Sequence, residues 1–130
     1  MSYYIAKDVA RPFDDVVAEV IERLGSEGFG VLTDIDVRAT LKAKISAEMP
    51  CYRILGACSP QLAHEALTME DKLGVLLPCN VIVHETADQR VEIASVDPIA
   101  AMDRTGNPAL ARIALEIRKR LARVVEGVGT

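Results

Sequence analysis

The sequence predicts a two-layer α+β sandwich: one sheet of about five short strands, with two long amphipathic helices packed on it. Three observations predict it. Phe13–Leu24 and Leu110–Val125 each repeat apolar residues at i, i+3, i+4 and i+7, the spacing of a helix with one buried stripe. Five other runs have strand length and strand patterning. Two of these, Cys79–Glu85 and Arg90–Val96, flank the polar loop Thr86–Gln89 and read as a hairpin, so the sheet is at least partly antiparallel. At 130 residues the chain suits a single domain, 1–130, and no repeat, linker or low-complexity tract divides it.

In chain order, Tyr3–Val9 is the first strand. Pro12 opens a helix whose stripe is Phe13, Val16, Val17, Val20, Ile21 and Leu24, with Asp14 and Asp15 favouring its positive end and Gly25 and Gly28 ending it. Phe29–Ile35 is the second strand, with Val31, Thr33 and Ile35 expected on one face and Leu32 and Asp34 on the other. Asp36 caps a short helix over Val37–Ile45. Tyr52–Cys58 alternates as a third strand, placing Tyr52, Ile54, Gly56 and Cys58 opposite Arg53, Leu55 and Ala57.

Ser59 offers a cap and Pro60 a preset first helical residue, so a helix starts directly after Cys58, with stripe Leu62, Ala63, Ala66 and Leu67. Val75–Leu77 resumes an apolar run, and Pro78, which has no ladder donor, precedes the Cys79 strand. After the hairpin, Asp97 and Pro98 end the fifth strand and Ile99–Met102 makes one helical turn. Asn107 and Pro108 then cap and open the last helix, whose stripe runs through Leu110, Ile113, Ala114, Ile117, Leu121, Val124 and Val125 to Gly127. Several strands are apolar on both faces. The face away from the long helices therefore needs a cover, supplied by the short helices or by a second copy of the chain, and a homodimer is the expected state.

Composition narrows the function. The core is aliphatic, with three Tyr, two Phe and no Trp, which leaves few rings to stack bases. A net charge of −4 opposes a general affinity for nucleic-acid backbones. Arg112, Lys119, Arg120 and Arg123 on the last helix read as a solvated face near its C-terminus. No run is long enough to span a membrane and the N-terminus lacks a signal-peptide core, so neither a nucleic-acid nor a membrane partner is expected and the cytoplasm is the expected location. Three cysteines without a CxxC point to reduced thiols.

The candidate site lies where Cys58, the first turn of the following helix, and Pro78–Asn80 converge. Its binding residues are Cys58, Ser59, His64, Pro78, Cys79 and Asn80: backbone N–H groups to hold an anion, and Asn80 to add a directional hydrogen bond. The ligand is a small molecule or a protein partner. The alternative is a thiol-dependent redox or sulfur-handling protein with Cys58 or Cys79 as catalytic candidates, since a helix N-terminus favours a thiolate. Against that stands the plainer reading that both thiols fill core gaps. Cys58, His64, Cys79, His84, Asp34 and Asp36 form no metal motif, so no metal is expected. No cofactor is expected either, because GxGxxG, P-loop and nucleophile-elbow patterns are missing from the sequence.

Three blocks, Glu27–Ile45 (EGFGVLTDIDVRATLKAKI), Tyr52–Leu67 (YRILGACSPQLAHEAL) and Leu76–Glu85 (LLPCNVIVHE), together resemble the prokaryotic family called domain of unknown function 302 (DUF302). The resemblance is collinear over nearly the whole chain, including the SVDP before the last helices. It implies a fold like that of the TATA-binding-protein superfamily, a curved antiparallel sheet backed by helices, usually dimeric, with no assigned biochemical role. Where members of that family often carry Asn after the central Cys, this chain has Ser59, which can cap the same helix.

Overall fold

The computed structural model describes residues 2–129. The elements are β1 (Tyr4–Val9), α1 (Phe13–Ser26), β2 (Gly30–Asp36), α2 (Val37–Ile45), β3 (Tyr52–Cys58), α3 (Pro60–Met69), β4 (Cys79–Glu85), β5 (Val91–Val96), α4 (Pro98–Asp103) and α5 (Ala111–Gly127). Two short 3-10 helices, Asp71–Leu76 and Pro108–Leu110, precede β4 and α5. The five strands form one sheet in the order β1-β5-β4-β3-β2, with every neighbouring pair antiparallel.

β1 and β2 are consecutive in the chain but lie at opposite edges of the sheet. Four strand spacings separate them, roughly 19 Å. The 14 residues of α1 make a helix about 21 Å long. Its length matches that crossing. Its buried residues Val16, Val17, Val20 and Leu24 lie on the stripe expected from the sequence, and α5 packs beside it with Ile113, Ala114, Ile117, Leu121, Val124 and Val125 buried. Lys7 on edge strand β1 donates to the carbonyls of Glu126 (2.8 Å) and Val128 (2.7 Å), satisfying acceptors that the end of α5 leaves open.

Pairing register sorts the strand side chains onto two faces. Val9, Leu55, Ala57, Cys79, Val81, Val83, Val91 and Ile93 fall on the face under α1 and α5, and all are buried. Each fully buried Leu or Ile here contributes about 1.5–3 kcal/mol of transfer free energy. Tyr4, Ile35, Tyr52, Ile54, Asn80, Ile82, His84, Glu92, Ala94 and Val96 fall on the other face.

That second face is left open. α3 and α4 pack against α5, while α2 touches β2 and β3 but buries none of its residues. The short helices therefore do not supply the cover the sequence calls for, and Tyr4 and Ile35 stay 47% and 45% exposed. A second difference lies in β2, where the register shifts between Val31 and Thr33. The extra residue, Leu32, is 67% exposed, and the shift turns Val31 towards the helices while Thr33 and Ile35 face the open side. Strict alternation had put all three together.

Candidate functional site

The corner at Cys58 forms as the sequence suggests, because β3 runs directly into α3 through Ser59 and Pro60. Ser59 occupies the N-cap position and is buried, but its side chain makes no capping hydrogen bond. Cys58, Ser59, Pro78 and Cys79 border one cavity with Phe29 and Ala63, and its volume is only about 30 Å³. That is space for a water molecule or two, far below the several hundred Å³ of a ligand pocket.

The other two expected site residues are elsewhere. His64 is exposed on α3 and Asn80 is exposed on the open face of the sheet; neither borders this cavity.

The two cysteines do not make a facing pair either. Cys79 stands opposite Ala57, one residue before Cys58, so strand alternation assigns Cys79 to the helix-covered face and Cys58 to the other. Cys79 is 7% exposed. Burial, with a smaller contribution from nearby Cys58, pushes its thiol up to about 11. Cys58 is half-buried, and all three cysteines are free thiols.

Cys51 has the most polar surroundings of the three. Arg38 Nη1 donates to its Sγ at 3.1 Å and its backbone N–H donates to Glu85 Oε1 at 2.9 Å. The N–H of Cys51 is the main reason the Glu85 carboxyl is held below the usual range. Among the described residues, no group of three His, Cys, Asp or Glu side chains is placed to hold a metal ion. Among those residues, too, no helix is long and apolar enough to cross a membrane.

The open face offers what the cysteine corner lacks. A groove of about 480 Å³ runs over Ile82, Ala94 and Val96, walled by Tyr3, Tyr4 and Tyr52, with Asn80 and Glu92 at its polar edge. At the hairpin end His84 Nε2 lies 2.8 Å from Glu92 Oε1, and its ring lies against that of Tyr52, centroids 5.1 Å apart. Gly56, next to Asn80 on this face, has no room for a side chain: a Cβ there would collide with Thr33 Oγ1 and come within 2.7 Å of Pro78 Cγ. The neighbours lock together where a larger residue would hold them apart.

The tyrosine groove was missed in the sequence because its walls come from β1 and β3, far apart in the chain. The available signal was that the three tyrosines, in a chain otherwise aliphatic, lie on or directly before strands with apolar residues on both faces. A further surface groove of about 580 Å³ lies between α4 and α5, lined by Ile99, Met102, Asp103, Leu110, Ala114 and Leu115. It gathers one carboxylate on an apolar wall, and the nearby Asn107 is already used as a cap and as a donor to Met69.

Fold and site together define the class: a two-layer α+β sandwich with one sheet face under helices and the other uncovered. A family model described as "Domain of unknown function DUF302" matches residues 5–128, and the chain belongs to that family. A crystal structure of an uncharacterized conserved DUF302 protein from Bacillus stearothermophilus is similar to it throughout. The TM-score is 0.91 at 29% sequence identity, with 97% of this chain and 98% of that chain covered. No curated protein matches the chain.

Proposed function

We propose that the chain acts as a homodimeric binding domain whose subunits meet over the open face of the sheet, and that this face receives its small-molecule or protein partner. One observation carries the reading. The face is built of half-buried apolar residues, Tyr4, Ile35, Tyr52, Ile54, Ile82 and Val96, on strands whose other side is already the core.

A second copy suits this surface on charge and on size. Glu92 is hydrogen-bonded to His84, and on the edge strand Asp8 is paired with Arg90, so each carboxylate already has a partner within its own copy even though each chain carries −4. Five strands of about six residues project to roughly 24 by 20 Å, so two such faces remove about 1,000 Å² from water, the lower end of what a specific interface needs. A cytoplasmic setting fits three unpaired thiols. The Cys58–Cys79 corner has too little space for a ligand, and a sealed Cys79 does not favour the thiol-dependent alternative.

Light scattering on the purified chain at micromolar concentration tests the dimer. The expected mass is twice the 14.1 kDa of one chain. Ile35→Lys, placing a charge at an already half-exposed position on the face, is expected to give single chains with an unchanged circular dichroism spectrum. A wild-type monomer, or a dimer indifferent to Ile35→Lys, would remove this reading.

A further inference from the structure

All three tyrosines of the chain line one groove, while both phenylalanines belong to the helix-side core. That segregation is chemical as well as spatial. The hydroxyls of Tyr3, Tyr4 and Tyr52 and the side-chain amide of Asn80 take part in no hydrogen bond among the described residues. The groove therefore presents donors and acceptors with no internal use around an aliphatic floor of Ile82, Ala94 and Val96. Its volume of about 480 Å³ falls within the range of small-molecule sites.

We propose that this groove binds an uncharged, planar ring compound, lying flat on Ile82, Ala94 and Val96, bordered by the tyrosine rings and oriented by Asn80. The proposal rests on the reading of the open face as the binding face and names the class of ligand it takes. Planarity follows from the floor, a stretch of pleated sheet with an alanine at its centre, 8% exposed, where a thin ring system fits below the flanking tyrosines. Tyrosine walls give such a ring face and edge contacts together with a polar tip. The absence of charge follows from Glu92, the carboxylate that lines the groove. It repels an anion, and one of its two oxygens, Oε1, is already engaged by His84 Nε2 at 2.8 Å. In the dimer the partner's equivalent floor closes over the ring.

The chain supplies its own readout. With no tryptophan and every tyrosine in the groove, tyrosine emission reports on this surface alone. The probe is 2,3-dimethyl-1,4-naphthoquinone, uncharged, planar and without a free position for thiol addition. Anthraquinone-2-sulfonate is its anionic counterpart, and N-acetyltyrosinamide corrects for light absorption. Saturable quenching by the uncharged probe is expected, with affinity at least ten-fold above that of the sulfonate.

Ala94→Phe, which fills the floor, is expected to abolish saturation. Asn80→Ala, which removes an exposed side chain with no internal hydrogen bond and so spares the fold, is expected to weaken binding about five-fold. Quenching without saturation, equal affinity for the sulfonate, or unchanged affinity in Asn80→Ala overturns the proposal, whether or not Ala94→Phe folds. Light scattering on the same samples separates the two readings: a monomer that still shows saturable quenching sinks the dimer and keeps the ring site, while a dimer without it does the reverse.

Discussion

Native Cys79 is expected to be almost inert to alkylation, and the size of the effect follows from its position. It sits on the helix-covered face of β4, opposite Ala57, and burial raises its thiol from 9.0 to about 11. Only the thiolate is alkylated, so at pH 8 its reactive fraction falls from about 10% to about 0.1%, a loss of roughly 100-fold before steric access is counted. The assay is timed iodoacetamide labelling of the native and guanidinium-unfolded chain at pH 8, followed by digestion and mass spectrometry. Native Cys79 is expected to label at least 100-fold more slowly than unfolded Cys79.

The same burial makes a second, independent readout. A thiol raised in the folded state contributes stability that is complete below its unfolded value near 9 and is lost as pH rises towards 11. The two-unit rise corresponds to about 3 kcal/mol. Urea unfolding of wild type and Cys79→Ala between pH 8 and 11 is expected to show the gap between them shrinking by an amount of that order. Native labelling within ten-fold of the unfolded rate, together with a gap that does not change with pH, would refute the burial argument and restore Cys79 as a candidate nucleophile.

Two further outcomes follow from contacts away from the groove's floor. Gly56→Ala forces a Cβ against Thr33 Oγ1 and Pro78 Cγ and is expected to cost about 1–3 kcal/mol, a melting-point drop of roughly 5–15 °C. Adding Thr33→Ala should recover part of it. Gly30→Ala, with nothing within 4 Å, is the control; equal melting points for the two alanine variants would contradict the packing. Glu19 gathers Arg11, Arg23 and the backbone N–H of Gly129, and chiefly the Arg23 and Arg11 hydrogen bonds hold its carboxyl down at about 2. A lowered carboxyl contributes stability present above the unfolded value of 4.5 and lost as pH falls towards 2. Glu19→Gln is therefore expected to cost about 1 kcal/mol at pH 7, allowing for solvent screening, and less as the pH approaches 2. A deficit equally large at pH 7 and pH 2, measured by urea unfolding, would exclude the ion cluster as its cause.

The elements were legible because each carries its own periodicity. The stripes of α1 and α5 are the stripes the structure buries, and the Cys79–Glu85 and Val91–Val96 hairpin closes where the polar loop lies. Asp36 and Asn107, read as caps, accept from the N–H groups of Ala39 and Ala109. The site was less legible. Four of its six expected residues do meet at the cavity beside α3, but the cavity is almost closed. His64 and Asn80 lie away from it, because helix phase and strand register, not proximity in sequence, decide where a side chain points.

Local patterning was thus enough to establish the strands, the helices, the aliphatic core and the apolar character of a second sheet face, since each depends on residues a few positions apart. Only the tertiary structure decided that β1 and β2 lie at opposite edges, that a bulge at Leu32 turns Val31 away from Thr33, and that Tyr3, Tyr4, Tyr52 and Asn80 share one groove. The physical reason is that these facts depend on pairing between segments tens of residues apart. A shift of one residue in that pairing reverses every side chain in the strand, and nothing within a single strand records which register its partner will choose.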